Sequence, residues 1–505
     1  MAADRVFLVC VAVMVSCLLL GGGTRPGFLS DVVIQLAAIP LLLMALRHLA
    51  ALPSVRSARW VLLFCVALVL VPLAQLVPLP PGLWTALPNR EELQQAVAFA
   101  AADMPWMPIS VSPRATWLAV VSLLPTIAIF LATLLLGYRE RRALSLVVIA
   151  VGLVGVFLGL AQVAEGPTSS LRFFQVTNLT EAVGFFANRN HLAAALYALT
   201  LFAAAWAVNA AAPPTPGQAR LDTGWVVPLL ASFTVLVVLV AAQAMTRSRA
   251  GLGLTIVALI GATAVAACDR RNTSGVTPAR LLLGATSLAV VFAAQFSLYR
   301  LLERFGDDPL RDARITLARV TAEAAQLYMP FGSGMGTFVP AYALQQKPED
   351  APIEAFANRA HNDVLELWLE AGAVGLALAA IFLAWLLVRS VQLWRRSAPG
   401  ADIDLALARA ATIVIALIVA HSVVDYPLRT GAMMAVMAFA CGLLIAPLAG
   451  GAGDSTFDDE RIGTTAAEAR APARRQKRRP PADAPISQHP AERWGRDIEW
   501  PEEWR

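Results

Sequence analysis

The chain has 505 residues, 58% of them hydrophobic and 15% charged, with a mean hydropathy of +0.63. No water-soluble domain has enough interior to hide that much apolar surface, so the composition excludes a soluble protein and points to a polytopic membrane protein. The formal charge of +5 sits largely in loops and tail, and it is no signature of nucleic-acid binding.

In chain order, about twelve apolar stretches of roughly 17–25 residues, long enough to span hydrocarbon, fall near 6–23, 30–48, 60–78, 115–137, 143–164, 190–210, 225–245, 250–268, 281–299, 364–388, 408–426 and 430–449. Leu, Val and Ala runs with interspersed Gly predict helices, and the alternation of a lipid-facing barrel is absent. The expected fold class is therefore all-α: a membrane domain over 1–449 with a long outward loop at 300–363, then a tail over 450–505. The first stretch follows a lone Arg5 and lacks a small-x-small cleavage site, so it reads as a retained helix. The five cysteines lie in apolar stretches without metal-type spacing and read as small hydrophobes.

Arginines cluster in alternate short loops: Arg47, Arg56 and Arg59; Arg139, Arg141 and Arg142; Arg270, Arg271 and Arg280; Arg389, Arg395, Arg396 and Arg409. The positive-inside rule then places both termini in the cytoplasm and turns 79–114, 165–189, 246–250, 300–363 and 425–430 outward. The tail is rich in Ala, Pro, Arg and acidic residues; it is expected to be disordered, with "RRQKRRPP" at anionic headgroups.

Arginines facing outward run against that rule and are informative. They are Arg189, Arg247, Arg249, Arg300, Arg304, Arg311, Arg314, Arg319, Arg359 and Arg429. The hairpin "MTRSRAGLG" places Arg249 just before Gly251 and Gly253, where a backbone can approach closely. Two readings stand: contact with lipid phosphates, or a guanidinium cluster for an anionic substrate, whose oxygens an Arg fork matches. Histidines point the same way, because His191, His361 and His421 all fall at outward helix ends. His421 precedes Asp425 by four residues, a spacing that puts both side chains on one helix face, where the carboxylate could orient the imidazole. "ANRNH" adds Asn188 and Arg189 beside His191, and "AHND" adds Asn362 and Asp363 beside His361.

In the long outward loop, "PLRDARITLARVTAEAAQLY" has Ile315, Leu317, Val320, Ala324 and Leu327 at helical spacing, predicting an amphipathic helix across the outer face. Arg311 and Arg314, three apart, project together from it. "PFGSGMGTF" then breaks the helix: its amides either cradle phosphate or simply let the chain fold back. Asp307, Asp308, Asp312 and Asp363 are candidate ligands for a hard cation, but "RFGDDPLRDAR" mixes acids with as many arginines and reads as a salt-bridged helix. HExxH, HxxxH, P-loop, GxGxxG and GxSxG patterns are all missing, so ATP-driven transport and serine hydrolysis lack support.

Taken in order, "QLVPLPPGLW", "PISVSPRATW", "GFFANRNHLAA", "TRSRAGLGL", "RITLARVTAEAAQLYMPFGSGMGTF", "AHNDVLELWLEAGAVGL" and "HSVVDYPLR" resemble the O-antigen ligase and polymerase superfamily over most of the membrane region. The resemblance implies about twelve transmembrane helices with a long periplasmic loop in the bacterial inner membrane. It also implies a metal-independent, inverting glycosyltransferase without a cofactor. Such an enzyme moves a glycan from undecaprenyl diphosphate to a hydroxyl of lipid A-core (a ligase) or of another carrier-linked repeat (a polymerase). By motif match His361 takes the place of the family's essential histidine, and Arg249 and Arg314 those of its outer-loop arginines. Arg189, Asn188 and His191 are then expected to bind sugar or phosphate, with Arg311 a weaker candidate and Asp363 or Asp425 orienting the base. Expected partners are the lipid-linked donor, the acceptor and membrane lipids, with no nucleic acid. An exopolysaccharide polymerase is a further option. The alternative of another class, a small-anion or bicarbonate transporter, calls for polar groups at mid-membrane depth or inverted repeats; here the polar clusters lie at helix ends.

Overall fold

A computed structural model describes residues 2–25, 27–100, 103–210, 223–268, 309–347, 357–396 and 402–448. The expected span at 281–299, Arg300, Arg304, Asp307, Asp308 and the tail over 450–505 lie outside these residues. The protein is an all-α polytopic membrane protein. Among the described residues, the β pairing is confined to an isolated antiparallel bridge between Leu79 and Met107.

The helices are α1 (Ala2–Leu20), α2 (Leu29–Ala51), α3 (Arg59–Gln75), α4 (Pro81–Trp84), α5 (Glu91–Ala100), α6 (Pro113–Leu135), α7 (Tyr138–Glu165), α8 (Arg189–Ala210), α9 (Thr223–Met245), α10 (Arg249–Ala267), α11 (Pro309–Leu327), α12 (Phe338–Ala343), α13 (Asp363–Arg395), α14 (Ile403–His421) and α15 (Gly431–Leu443). Among the described residues, eight helices are long and apolar enough to cross a membrane: α2, α6, α7, α8, α9, α10, α13 and α14. Two more, α3 and α15, are apolar but shorter. Burial sorts them into layers. The apolar window of α8 is 94% buried and that of α14 is 78%, against 22% for α2, α9 and α13. The Ala-rich α8 therefore runs through the middle of the bundle, where small side chains let neighbouring helices approach closely.

Helix ends follow their caps. Ser248 accepts from Gly251 N–H to open α10, Asp402 accepts from Asp404 and Leu405 N–H to open α14, and Thr430 accepts from Met433 N–H to open α15. The Asp402 cap starts α14 earlier than the stretch at 408–426, and the helix stops at His421, with Asp425 beyond it. The expected amphipathic helix forms as α11, but with a narrower apolar face. Val320, Ala324 and Ala325 are buried against Tyr328, Phe338, Tyr342 and Leu369, whereas Ile315 and Leu327 are exposed.

Arginine chemistry distinguishes the two ends of the bundle. At one end Arg141 donates to Thr133, Leu136 and Ile445 carbonyls, Arg389 to Leu444, and Arg409 to Leu393 and Arg396. These guanidiniums satisfy carbonyls that helix C-termini leave unpaired. Here too Arg142 pairs with Asp404. The opposite end gathers the start of α8, the α9–α10 hairpin, the start of α13 and the end of α14. Ala182 N–H donates to Met245 O at 3.2 Å, and Asp363 N–H to Ser422 O at 2.8 Å.

Candidate functional site

The stretch "AHND" makes a sharp entry into α13. His361 has φ +53°, a left-handed conformation uncommon for residues other than glycine and costing on the order of 1–3 kcal/mol. Its successors hold it there. The Asn362 side chain caps α13 by accepting from Val364 and Leu365 N–H and donates to Val423 O at 2.8 Å. The Asp363 carboxylate accepts from Ser422 Oγ at 2.7 Å and from Leu428 N–H at 3.3 Å. Both side chains, expected as ligand-binding groups, are thus engaged in clamping the turn to the 422–428 loop.

That clamp sets His361 against Asp425, with Nδ1 3.3 Å from Oδ1. Asn190 Nδ2 donates to the other carboxylate oxygen. The sequence spacing pairs Asp425 with His421 on one helix face. Instead α14 ends, and Asp425 lies against the His361 imidazole. The His361 side chain is 26% exposed and that of Asp425 1%, so the base candidate is open to a substrate while its orienting carboxylate is not. Burial alone would raise the Asp425 carboxyl; the contact with His361 and the fields of His191, His361 and His421 outweigh it and hold the carboxyl below its ordinary range.

Tyr426 packs between two of the imidazoles. Its ring lies 4.8 Å from that of His361 and 4.9 Å from that of His191, both edge-to-face. Its hydroxyl meets the Asn188 and Asn358 side chains, and burial pushes the phenol up to about 12. His191 is fully buried, and neither ring nitrogen has a hydrogen-bond partner among the described residues. His421 is equally buried, with Nδ1 3.3 Å from Tyr197 Oη. The three histidines named from sequence converge on one carboxylate, and His361 alone among them is partly exposed.

A second cluster lines α13. Asp363, Glu366 and Glu370 project toward the 427–429 turn, where Arg429 Nε lies 3.3 Å from Asp363 and from Glu366 and Nη1 lies 2.8 Å from Glu370. Arg359 Nη1 adds a longer contact to Glu366, at 3.8 Å. Burial lowers a guanidinium, but the three carboxylates outweigh it and hold Arg429 above its ordinary range. Sequence reading missed Glu366 and Glu370; two carboxylates inside an otherwise apolar helix were the available signal.

The glycine turn meets this cluster. Gly332, Gly334 and Gly336 all have positive φ. Ser333 N–H donates to Leu369 O, Gly334 N–H to Glu370 O, Met335 N–H to Gln75 Oε1 and Phe338 N–H to Glu370 Oε1. With its amides taken by protein acceptors, the turn serves chain reversal rather than a phosphate cradle. A Cβ on Gly372, which kinks α13 at φ +55°, would lie 2.2 Å from Pro330 O.

Residues 234–396 match the family model described as O-antigen ligase. That match, over residues 234–396 of 505, supports the resemblance to the O-antigen ligase and polymerase superfamily. Comparison with curated proteins gives no match. The matched O-antigen ligase segment contains Arg249, α11, the glycine turn, His361 and all of α13, while Asp425, Tyr426 and His191 reach the same place from outside it.

The outward arginines divide. Arg189 pairs with Glu181, Arg319 with Glu323, and Arg359 and Arg429 with α13 carboxylates. The Arg189 guanidinium, expected to meet sugar or phosphate, thus has Nη1 on Glu181. Arg249, at the start of α10, and Arg314, on α11, are exposed. Through Val320, Ala324 and Tyr328, α11 packs against Ala360 and Leu369, next to the entry into α13. Arg311 lies in α11 with its side chain outside the described residues. Among the described residues no group of three or more His, Cys, Asp or Glu side chains is arranged to hold a metal ion.

Proposed function

We propose that this O-antigen ligase-type chain is a membrane glycosyltransferase. It moves a glycan from undecaprenyl diphosphate to a hydroxyl acceptor at the periplasmic face of the bacterial inner membrane, with both termini cytoplasmic. The acceptor oxygen attacks the anomeric carbon and the bond to the diphosphate oxygen breaks, inverting the centre. His361 takes the acceptor proton on Nε2, because Nδ1 faces Asp425. The diphosphate leaves with the bonding pair, and the exposed Arg249 and Arg314 stabilise its growing charge. His191 and Asn188 shape the wall behind the base through Tyr426.

The observation that carries this reading is the His361–Asp425 pair: a partly exposed imidazole held in a left-handed turn against a buried carboxylate. In that setting the base is preorganised and the imidazolium formed in the transition state is stabilised. The test is long-chain surface polysaccharide on gels. His361→Ala and Arg249→Ala should each abolish it at unchanged protein level, and full polymer in both refutes the mechanism. The same gels distinguish acceptors. Loss of a ligase leaves bare core and stranded carrier-linked polymer, whereas loss of a polymerase leaves core plus one repeat.

A further inference from the structure

Glu370 sits where four segments cross. Fully buried, it accepts Phe338 N–H on Oε1 at 3.1 Å and Arg429 Nη1 on Oε2 at 2.8 Å. Its own carbonyl accepts Gly334 N–H at 3.0 Å and Gln75 Nε2 at 2.9 Å. One side of this junction is the glycine turn, which is continuous with α11 and therefore with Arg314. On the other side lies the turn of Arg429, three residues after Tyr426 and four after Asp425, the residues that hold His361. Gly372, two residues further, brings α13 backbone directly against Pro330 and Gly332, so turn and helix have no slack between them.

We propose that the Glu370–Arg429 pair is the positioning element of this site, coupling the glycine turn and α11, which carry Arg314, to the 425–429 loop that orients His361. The inference rests on the reading of His361 and Arg314 above. Neither Glu370 nor Arg429 touches substrate. A carboxylate suits this junction because its two oxygens serve two different partners at once, an amide of the turn and a guanidinium of the loop. Arg429 in turn spreads over three carboxylates of α13, so that loop and helix shift together or not at all. An ion pair buried in a membrane bundle is costly unless fully partnered, which favours one fixed arrangement over several.

The test uses Glu370→Gln, which keeps an acceptor for Phe338 N–H and removes the charge, and Arg429→Lys, which keeps the charge but cannot span three carboxylates. Spin labels on Ile315→Cys and Val423→Cys, both exposed sites, report the distance between α11 and the loop in the full chain, with Cys65 and Cys268 replaced by alanine. Transfer kinetics are measured in proteoliposomes with the lipid-linked donor. The expected result is a distance distribution that broadens in both variants, with kcat falling at least tenfold and donor KM changing less than threefold. A distribution as narrow as that of the parent, with kcat within twofold, overturns the coupling. Broadened distances in a protein whose parent transfers no glycan would instead sink the glycosyltransferase reading and leave the coupling standing. Should Glu370→Gln not fold, Arg429→Lys decides the question alone.

Discussion

Asp425→Asn removes one charge with little change in volume, and the surroundings fix the consequence. On the proposed mechanism the His361 imidazole gains its charge as it takes the acceptor proton, so the attraction to Asp425 is realised only as the reaction proceeds. At 3.3 Å and an effective dielectric of about 20, a pair of unit charges is worth roughly 5 kcal/mol. Solvent on the exposed part of His361 reduces this to roughly 2–3 kcal/mol. At about 1.4 kcal/mol per tenfold, the rate should fall about 10²-fold. Geometry adds to the loss. Asn190 Nδ2 already donates to one oxygen of Asp425, so an asparagine there sets an amide donor either against Asn190 or against His361 Nδ1. The second arrangement forces the ring proton onto Nε2, the nitrogen needed as base. The assay is glycan transfer in proteoliposomes at matched protein level. A rate within threefold of the parent would refute the assignment of Asp425 as orienting carboxylate.

Other perturbations probe different parts of the arrangement. Arg189→Gln should lower transfer less than threefold, because the guanidinium is committed to Glu181 at a partly exposed site, where such pairs contribute about 0–1 kcal/mol. Arg314→Gln should lower kcat about 10²-fold, in the range for losing one preorganised donor to a developing anion; equal losses in these two variants would overturn the division of the arginines. Gly372→Ala puts a Cβ within 2.2 Å of Pro330 O at a positive φ and should destabilise by at least about 2 kcal/mol, read as a lowered Tm. The depressed Asp425 carboxyl gives a signed pH effect. A group with a lowered folded value contributes stability above its unfolded value of about 3.9 and loses it as pH falls toward the folded one. The stability difference between the parent and Asp425→Asn should therefore shrink as pH falls below about 4; a difference that stays constant between about pH 5 and about pH 3 would contradict the lowered carboxyl.

The helices were legible because an apolar run long enough to cross hydrocarbon admits few other structures. Their ends were less so. "IVAHSVVDYPL" stays apolar past His421, so hydropathy extends α14 where the chain actually turns, and the Asp402 cap that sets its start is a single residue in a polar loop. The histidines were legible as a group because each marks the end of an apolar run. Their common carboxylate was not, since His361 and Asp425 are far apart in sequence and the local His421–Asp425 spacing suggested a different pair. The Arg429–Glu370 and Arg189–Glu181 contacts were hidden for the same reason: nothing local distinguishes an arginine that meets a carboxylate of another segment from one that meets a ligand.

That distinction changes what the outward arginines mean. Read one by one, each is a candidate for an anionic substrate. Within the fold, Arg189, Arg359 and Arg429 face carboxylates at the same end of the bundle, so their charge is largely cancelled locally and builds little field toward the surface. Arg141, Arg389 and Arg409, at the other end, are spent on helix carbonyls. Exposed guanidiniums include Arg249 on α10 and Arg314 on α11, two separate helices. On the proposed reading, a diphosphate gripped from two helices is held only while those helices keep their spacing. The buried Glu370–Arg429 junction would then be as much a part of the proposed anion site as the arginines that would touch it.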